Sequence, residues 1–419
     1  MEGVENVEKP ILFEKPRGVR DVLPPLAARK REIEKKIATV FRNWGYEEIV
    51  TPTFEYADTF LNGAFRDDED NLFKFIERSG RTVVLRPDMT APIARVVSSL
   101  MKERPLPIRL SYNASIFRQQ GHVAGRDAEF TQAGVELMGD PSPDADAGVV
   151  ALAATALEEA GVRGFRIAVG QVQFLQALFA EHVATDSVRA QLSAALADKD
   201  FVSYERLIAQ EVEAEASRDV LLTVPRLRGG IDVLDQAAEI TRSEQALAAL
   251  ENLRTIWQIL VLYNVEEYAQ LDLGLLLSQH YYTGAIFEGY APNVGFPICS
   301  GGRYDELVGK FGRPMPATGF MIGIERVLDV LEKSFPKDPK ERFLILYEEA
   351  DRYPVIGFAT FLRSKRFIIT AQRVHDVAEA MKTATPDHVT LIPFKGGKLL
   401  ESNKLLQAMY TDFCHMFSQ

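Results

Sequence analysis

Two long apolar-rich runs, Leu106–Phe117 and Glu129–Met138, constrain the fold of this chain more than any other feature. Each reads as a strand, and the loop His122–Asp127 (HVAGRD) connects them. Side chains alternate across a strand, so Phe130, Gln132, Gly134 and Glu136 share one face. Thr131, Ala133, Val135 and Leu137 share the other, and that set is apolar enough to pack against a core. The first face carries a floor, Gly134, between two polar side chains. Gln132 and Glu136 lie about 13 Å apart at the usual strand rise. A ligand over Gly134 could be held from both ends, since glycine inside a strand often marks a close approach. A carboxylate suits an ammonium or protonated imidazole, and a glutamine suits a neutral amide or ring nitrogen. A solvent-facing side of an antiparallel sheet reads the same way, so both interpretations stand on the residues alone.

The other elements follow from periodicity and punctuation. Residues 1–15 read as a polar arm and Pro16–Pro24 as a loop. Leu26–Trp44 is helical, with Ile33, Ile37, Val40, Phe41 and Trp44 at helical spacing and Gly45 as its stop. Tyr46–Tyr56 reads as a strand interrupted at Pro52. Asn71–Pro87 is a hairpin turning at Ser79-Gly80, and a helix runs from Thr90 to Met101. Residues 144–160 form an alanine-rich helix ended by Gly161, and Phe165–Gly170 is a short strand. Residues 172–270 are almost wholly helical in pattern. Leu271–Tyr290 returns to strand, Gly301-Gly302 reads as a turn, and Gly319–Leu331 as strand into helix. Ser334–Arg342 is a Pro/Lys linker. Beyond it FLILYEE, FIITAQR and HVTLIPF read as strands and VHDVAEAMKTA as a helix.

A length of 419 residues sets a prior of two or three domains. The net charge of −11 argues against a dedicated nucleic-acid binder, which shows a basic footprint. The two cysteines, Cys299 and Cys414, form neither a disulfide framework nor a CxxC metal site. The N-terminus lacks a hydrophobic signal region. No segment reaches the run of about 20 apolar residues needed to span a membrane, so a cytoplasmic location is expected.

Four motifs occur in order: LRPDMT (Leu85–Thr90), FR…QAGVE (Phe117–Glu136), HYYTG (His280–Gly284) and GGRYD (Gly301–Asp305). With them, residues 12–331 resemble class II aminoacyl-tRNA synthetases of the histidyl type. The resemblance implies an α+β fold, an antiparallel sheet flanked by helices. Residues 16–171 and 271–333 would form the catalytic-type domain, 172–270 a helical insertion, 334–342 a linker and 343–419 a small C-terminal α/β domain. The helix before Gly45 and the strand carrying Pro52 resemble the element that builds the dimer interface in that family. The resemblance also implies a histidine pocket. Asp88 and Thr90 would grip the amino group, Gln132 and Glu136 the amino group and ring, with Tyr281, Tyr282 and Arg118 beside them. Asp88 stands where the family has Glu, one methylene shorter. Helix capping is an equally physical role for Asp88 and Thr90.

The nucleotide side departs from the family. Gln120 and Gly121 replace Glu and Arg, Ala128 and Leu277 replace arginines, and His280 replaces Asp. Arg118 and Arg326 remain. Arg326 lies in the first turn of a helix, where a cation needs an anionic partner. Adenylation must neutralise a triphosphate, and each missing group is worth a few kcal/mol in such a transition state. A leucine offers nothing comparable to an arginine fork. This pattern of losses resembles the ATP phosphoribosyltransferase regulatory subunits. That resemblance implies no catalytic residue, no metal and no cofactor of its own. It implies a short catalytic partner in a hetero-oligomer, usually an octamer, with L-histidine as feedback ligand. A divergent histidyl-tRNA synthetase and a tRNA-sensing module are the alternatives. The acidic balance and small C-terminal region weigh against the latter. Histidine-dependent ATP–pyrophosphate exchange by the purified chain is expected to stay at background, and measurable turnover would restore the synthetase alternative.

Overall fold

The computed structural model describes residues 14–61, 69–119, 127–279, 281–332, 342–383, 389–400 and 404–417. Gln120, Gly121, His280, most of the His122–Asp127 loop and most of the 334–342 linker lie outside them. The chain divides into two compact units, Met1–Lys333 and Ser334–Gln419.

The first unit is built on a nine-stranded sheet. Its centre is the pair Ile108–Phe117 and Glu129–Met138, antiparallel and in register from Ile108↔Met138 to Phe117↔Glu129. Ala317–Gly323 pairs on the other side of Glu129–Met138, followed by Cys299–Arg303, Ala285–Tyr290 and Arg166–Gln171, all antiparallel. The two flanks are mixed. Glu47–Glu48 runs parallel to Ile108–Phe117, and Ala269–Asp272 runs parallel to Arg166–Gln171. Arg228–Gly229 closes the far edge. From Thr131 to Met138 every residue of the central strand is buried, so neither face is the solvent side that alternation alone left open.

The Val135 face lies under helices. Phe41 of helix Pro24–Asn43 meets Phe320 edge-on at 5.7 Å, beside Val135 in register. Helix Pro143–Ala160 packs between Pro24–Asn43 and Glu244–Leu262. Its alanines permit close approach. Its ends are set by Ser142, whose Oγ accepts from Ala145 N at 3.4 Å, and by Gly161 at φ 102°. The segment 172–270 contributes six helices and the strand Arg228–Gly229, which the helical pattern does not foretell. Charged contacts hold it to the sheet: Arg228 pairs with Asp272 at 3.0 Å and Lys199 with Glu288 at 2.9 Å.

Three sequence readings change. Tyr46–Tyr56 is not one strand: Glu47–Glu48 joins the large sheet and Phe54–Tyr56 a separate three-stranded one. Arg86 pins the crossing between them, donating to Thr51 O and Ser115 O at 2.8 Å each. Leu271–Tyr290 is strand only at its ends, Ala269–Asp272 and Ala285–Tyr290. Asp272 accepts the Gly274 amide at 3.1 Å and turns the chain away. Gly301 and Gly302 form no turn but the middle of strand Cys299–Arg303. A Cβ on Gly301 would sit 2.2 Å from Gly319 O, so glycine is there to let neighbouring backbone approach.

The second unit has parallel strands in the order Ile368–Arg373, Arg342–Tyr347, Thr390–Lys395, with Lys398–Leu399 antiparallel at one edge. Helices Arg352–Ser364 and Lys404–Phe417 have no counterpart in the sequence reading. Pro354 and Gly357 disguise the first, and a Cβ on Gly357 would lie 2.9 Å from the Phe413 ring of the second. Among the described residues no helix is long and apolar enough to cross a membrane.

Arg303 ties the first unit together. Buried to 7% exposure, it donates from Nε to both oxygens of Asp146, at 3.1 and 2.9 Å. Its other nitrogens reach Asp140 O, Ser142 O and Asp305, each at 3.2 Å. Removing one partner of such a pair strands a buried charge. Arg303→Met should therefore lower the unfolding free energy by about 3–5 kcal/mol in a denaturant titration.

Candidate functional site

Strand Glu129–Met138 points Gln132 and Glu136 away from the helices, both only 2% exposed. The loop Arg86–Met89, fed by strand Thr82–Leu85, brings Asp88 to the same place, and Thr90 opens helix Thr90–Ser99. The segment after Asp272 delivers Tyr281 and Tyr282. One cavity, about 410 Å³ of empty space with its mouth included, is lined by Asp88, Thr90, Arg118, Gln132, Glu136, Tyr281 and Tyr282. All seven residues singled out from the sequence thus meet.

Glu136 is the centre of the cavity. Thr90 Oγ1 donates to its Oε1 at 2.8 Å, and the Tyr304 hydroxyl donates to its Oε2. Burial pushes the carboxyl up to about 8, against the pull of those two hydroxyls, and nearby Asp88 adds to the rise. Asp88 is likewise raised by burial, although the Arg118 charge opposes this. Its Oδ1 accepts from Ala91 N at 3.4 Å, so the capping role and the cavity position coexist. Arg118 donates from Nε to Pro87 O at 2.8 Å and lies 5.7 Å from the Phe130 ring centre. Tyr281 stacks obliquely on Tyr282 at 4.7 Å and edge-on to Tyr304 at 5.9 Å.

Tyr112, Gln279, Ser300, Tyr304 and Met321 also line the cavity and were missed as site residues. Tyr112 could have been found, because it stands opposite Gly134 in the strand pair. The space over Gly134, read from the sequence as a ligand floor, belongs to Tyr112: a Cβ on Gly134 would lie 2.5 Å from the Tyr112 hydroxyl. Tyr304 sits within GGRYD, but a tyrosine buried against a carboxylate 168 residues away in sequence leaves no local signal. Gly319 is required for the same reason, since its Cβ would lie 2.2 Å from Glu136 Oε2.

At two positions where the synthetase resemblance puts arginines, the described residues are apolar and buried. Leu277 is buried in an apolar cluster with Val172, Leu275 and Ile286. Ala128 is buried against Gly18, whose carbonyl accepts the Ala128 amide at 2.5 Å. Arg326 donates to Pro297 O at 2.5 Å and lies 5.2 Å from the Phe296 ring centre. Among the described residues no group of three or more His, Cys, Asp or Glu is placed to hold a metal ion.

The profile of the histidyl-tRNA synthetase family matches residues 18–327. An ATP phosphoribosyltransferase regulatory subunit from Moorella thermoacetica is 43% identical over 351 residues, 84% of this chain and 90% of that protein. The chain belongs to the ATP phosphoribosyltransferase regulatory subunits. A solved ATP phosphoribosyltransferase regulatory subunit/histidyl-tRNA synthetase from Bacillus halodurans superposes with a TM-score of 0.82 at 36% identity, covering 93% of this chain and 100% of that one. A histidyl-tRNA synthetase from Nostoc sp. PCC 7120 shares the fold, with a TM-score of 0.78 at 19% identity over 96% of this chain and 99% of its own.

The raised Glu136 has a measurable signature. Its carboxyl moves from 4.5 to about 8 on folding, so the folded chain holds a proton that the unfolded chain has released. Stability attributable to this group therefore falls as pH rises across that window and is level outside it. Glu136→Gln removes the effect. The Tm of the variant minus that of the wild type should rise (become more positive) from about pH 5 to pH 8, followed by differential scanning fluorimetry of the ligand-free protein.

Proposed function

We propose that this chain senses L-histidine in the Glu136 cavity and passes its occupancy to a short catalytic ATP phosphoribosyltransferase subunit, at the first step of histidine biosynthesis. As a member of its family the chain is a regulatory, non-catalytic subunit. The observation that carries the reading is the contrast within one site: seven expected residues line one cavity, while Leu277 lies in an apolar cluster where an arginine would meet phosphate.

In this reading the ligand ammonium meets Asp88, Thr90 and Glu136. The ring lies among Tyr281, Tyr282 and Tyr304, and the carboxylate turns to Arg118. An amine arriving beside a neutral Glu136 makes the charged carboxylate favourable and releases its proton. The catalytic partner and this chain form a hetero-oligomer, an octamer by the family resemblance, in the cytoplasm. This chain pairs with its own copy through helix Pro24–Asn43 and the segment after it, where Val50 and Phe54 are 87% and 61% exposed. Nucleic acid plays no part. Feedback requires that histidine favour one assembly state over another, by about 1–3 kcal/mol for typical allosteric coupling.

Isothermal titration tests the reading directly. Glu136→Ala should weaken histidine binding by about 30-fold or more, since a buried charged partner is lost. Equal affinity of wild type and variant would remove Glu136 from the reading. The paired assay mixes the chain with a short catalytic subunit: histidine should inhibit phosphoribosyl-ATP formation with the wild type and far less with Glu136→Ala.

A further inference from the structure

The Glu136 cavity has a neighbour on the far side of Tyr282. A second cavity, about 670 Å³ of empty space, shares Gln279 and Tyr282 with it. Its floor is the buried apolar set Val172, Leu175 and Leu277. Its rim is uncharged: Gln176, Ser193 and the exposed Ala190 and Ala194 of helix Asp186–Ala197. No Asp, Glu, Lys or Arg lines it among the described residues.

We infer that the two cavities form one continuous site, which takes the N-terminal residue of a peptide and lets the second residue lie in the apolar cleft. The inference rests on the histidine reading of the first cavity and adds a ligand class to it. Charge decides which group enters the cleft. A free carboxylate would lose its hydration there with no cation to meet it, so it stays with Arg118. A peptide carbonyl carries no charge, and the glutamine amides and the Ser193 hydroxyl match the donors and acceptors of a peptide group. A leucine-sized side chain then covers Val172, Leu175 and Leu277, removing apolar surface from water on both partners. The exposed alanines leave an outward path for the rest of the chain.

The experiment compares L-histidine with the C-terminal amide of L-histidyl-L-leucine, which carries no carboxylate into the cleft, by isothermal titration on the full-length chain. The dipeptide should bind as tightly as histidine or tighter. Ala194→Phe, which fills the cleft from its rim, should weaken the dipeptide about tenfold or more and leave histidine within about twofold. Ala190→Leu repeats the test should the first variant fold poorly. Dipeptide binding about tenfold weaker than histidine in the wild type overturns the inference, as does an equal loss of both ligands in the filled variants. Heat from histidine alone leaves the histidine reading standing and removes only the cleft. Binding of neither ligand removes both.

Discussion

Everything in the first unit is arranged around a carboxylate set deep in a sheet. Among the described residues Glu136 has no cation in bonding contact and is held by two hydroxyls, Thr90 from a helix start and Tyr304 from the end of another strand. Burying an acid this way is expensive unless every neighbour fits. Gly319 must lack a Cβ for the carboxylate to lie where it does, and Gly134 must lack one for Tyr112 to close the space beside it. Four separate stretches of chain are thus committed by one side chain. The outcome is a group poised near neutrality, which an arriving positive charge would ionise.

The same economy explains how one half of the site could lose its chemistry while the other kept its shape. A buried arginine without a phosphate is an uncompensated charge, and leucine at 277 replaces that liability with apolar contact to Val172 and Ile286. Arg303 is buried without such a liability, because its partners are the protein's own: Asp146, Asp305 and two carbonyls.

Much of this was legible beforehand where a short-range rule applies. The period of two along Glu129–Met138 places Gln132 and Glu136 on one face, and the motif order brings Asp88, Thr90 and the tyrosine pair beside them. Legibility failed where the reason is long-range. The glycines at 301 and 302 look like a turn and are a strand, because their partner is the Gly319–Phe320 backbone on one side and Ala285–Ile286 on the other. Tyr304 is decided by a carboxylate 168 residues away. Leu271–Tyr290 has strand composition throughout, yet its middle is claimed by the Asp272 bond to Gly274 and by cavity walls.

The back of the central strand holds a further consequence. Glu325 accepts the backbone amide of Thr131 at 2.7 Å, and Lys30 bridges Glu325 and the Thr131 hydroxyl, each also at 2.7 Å. A strand that slips by one residue exchanges its two faces, which here would turn Gln132 and Glu136 into the helices. The three-way clamp at Thr131 works as a register lock. Because it joins the strand to helix Pro24–Asn43 and helix Ile324–Leu331, the strand cannot slide without them. The clamp thus makes the strand that carries Glu136 one packed piece with two helices on the opposite face of the sheet.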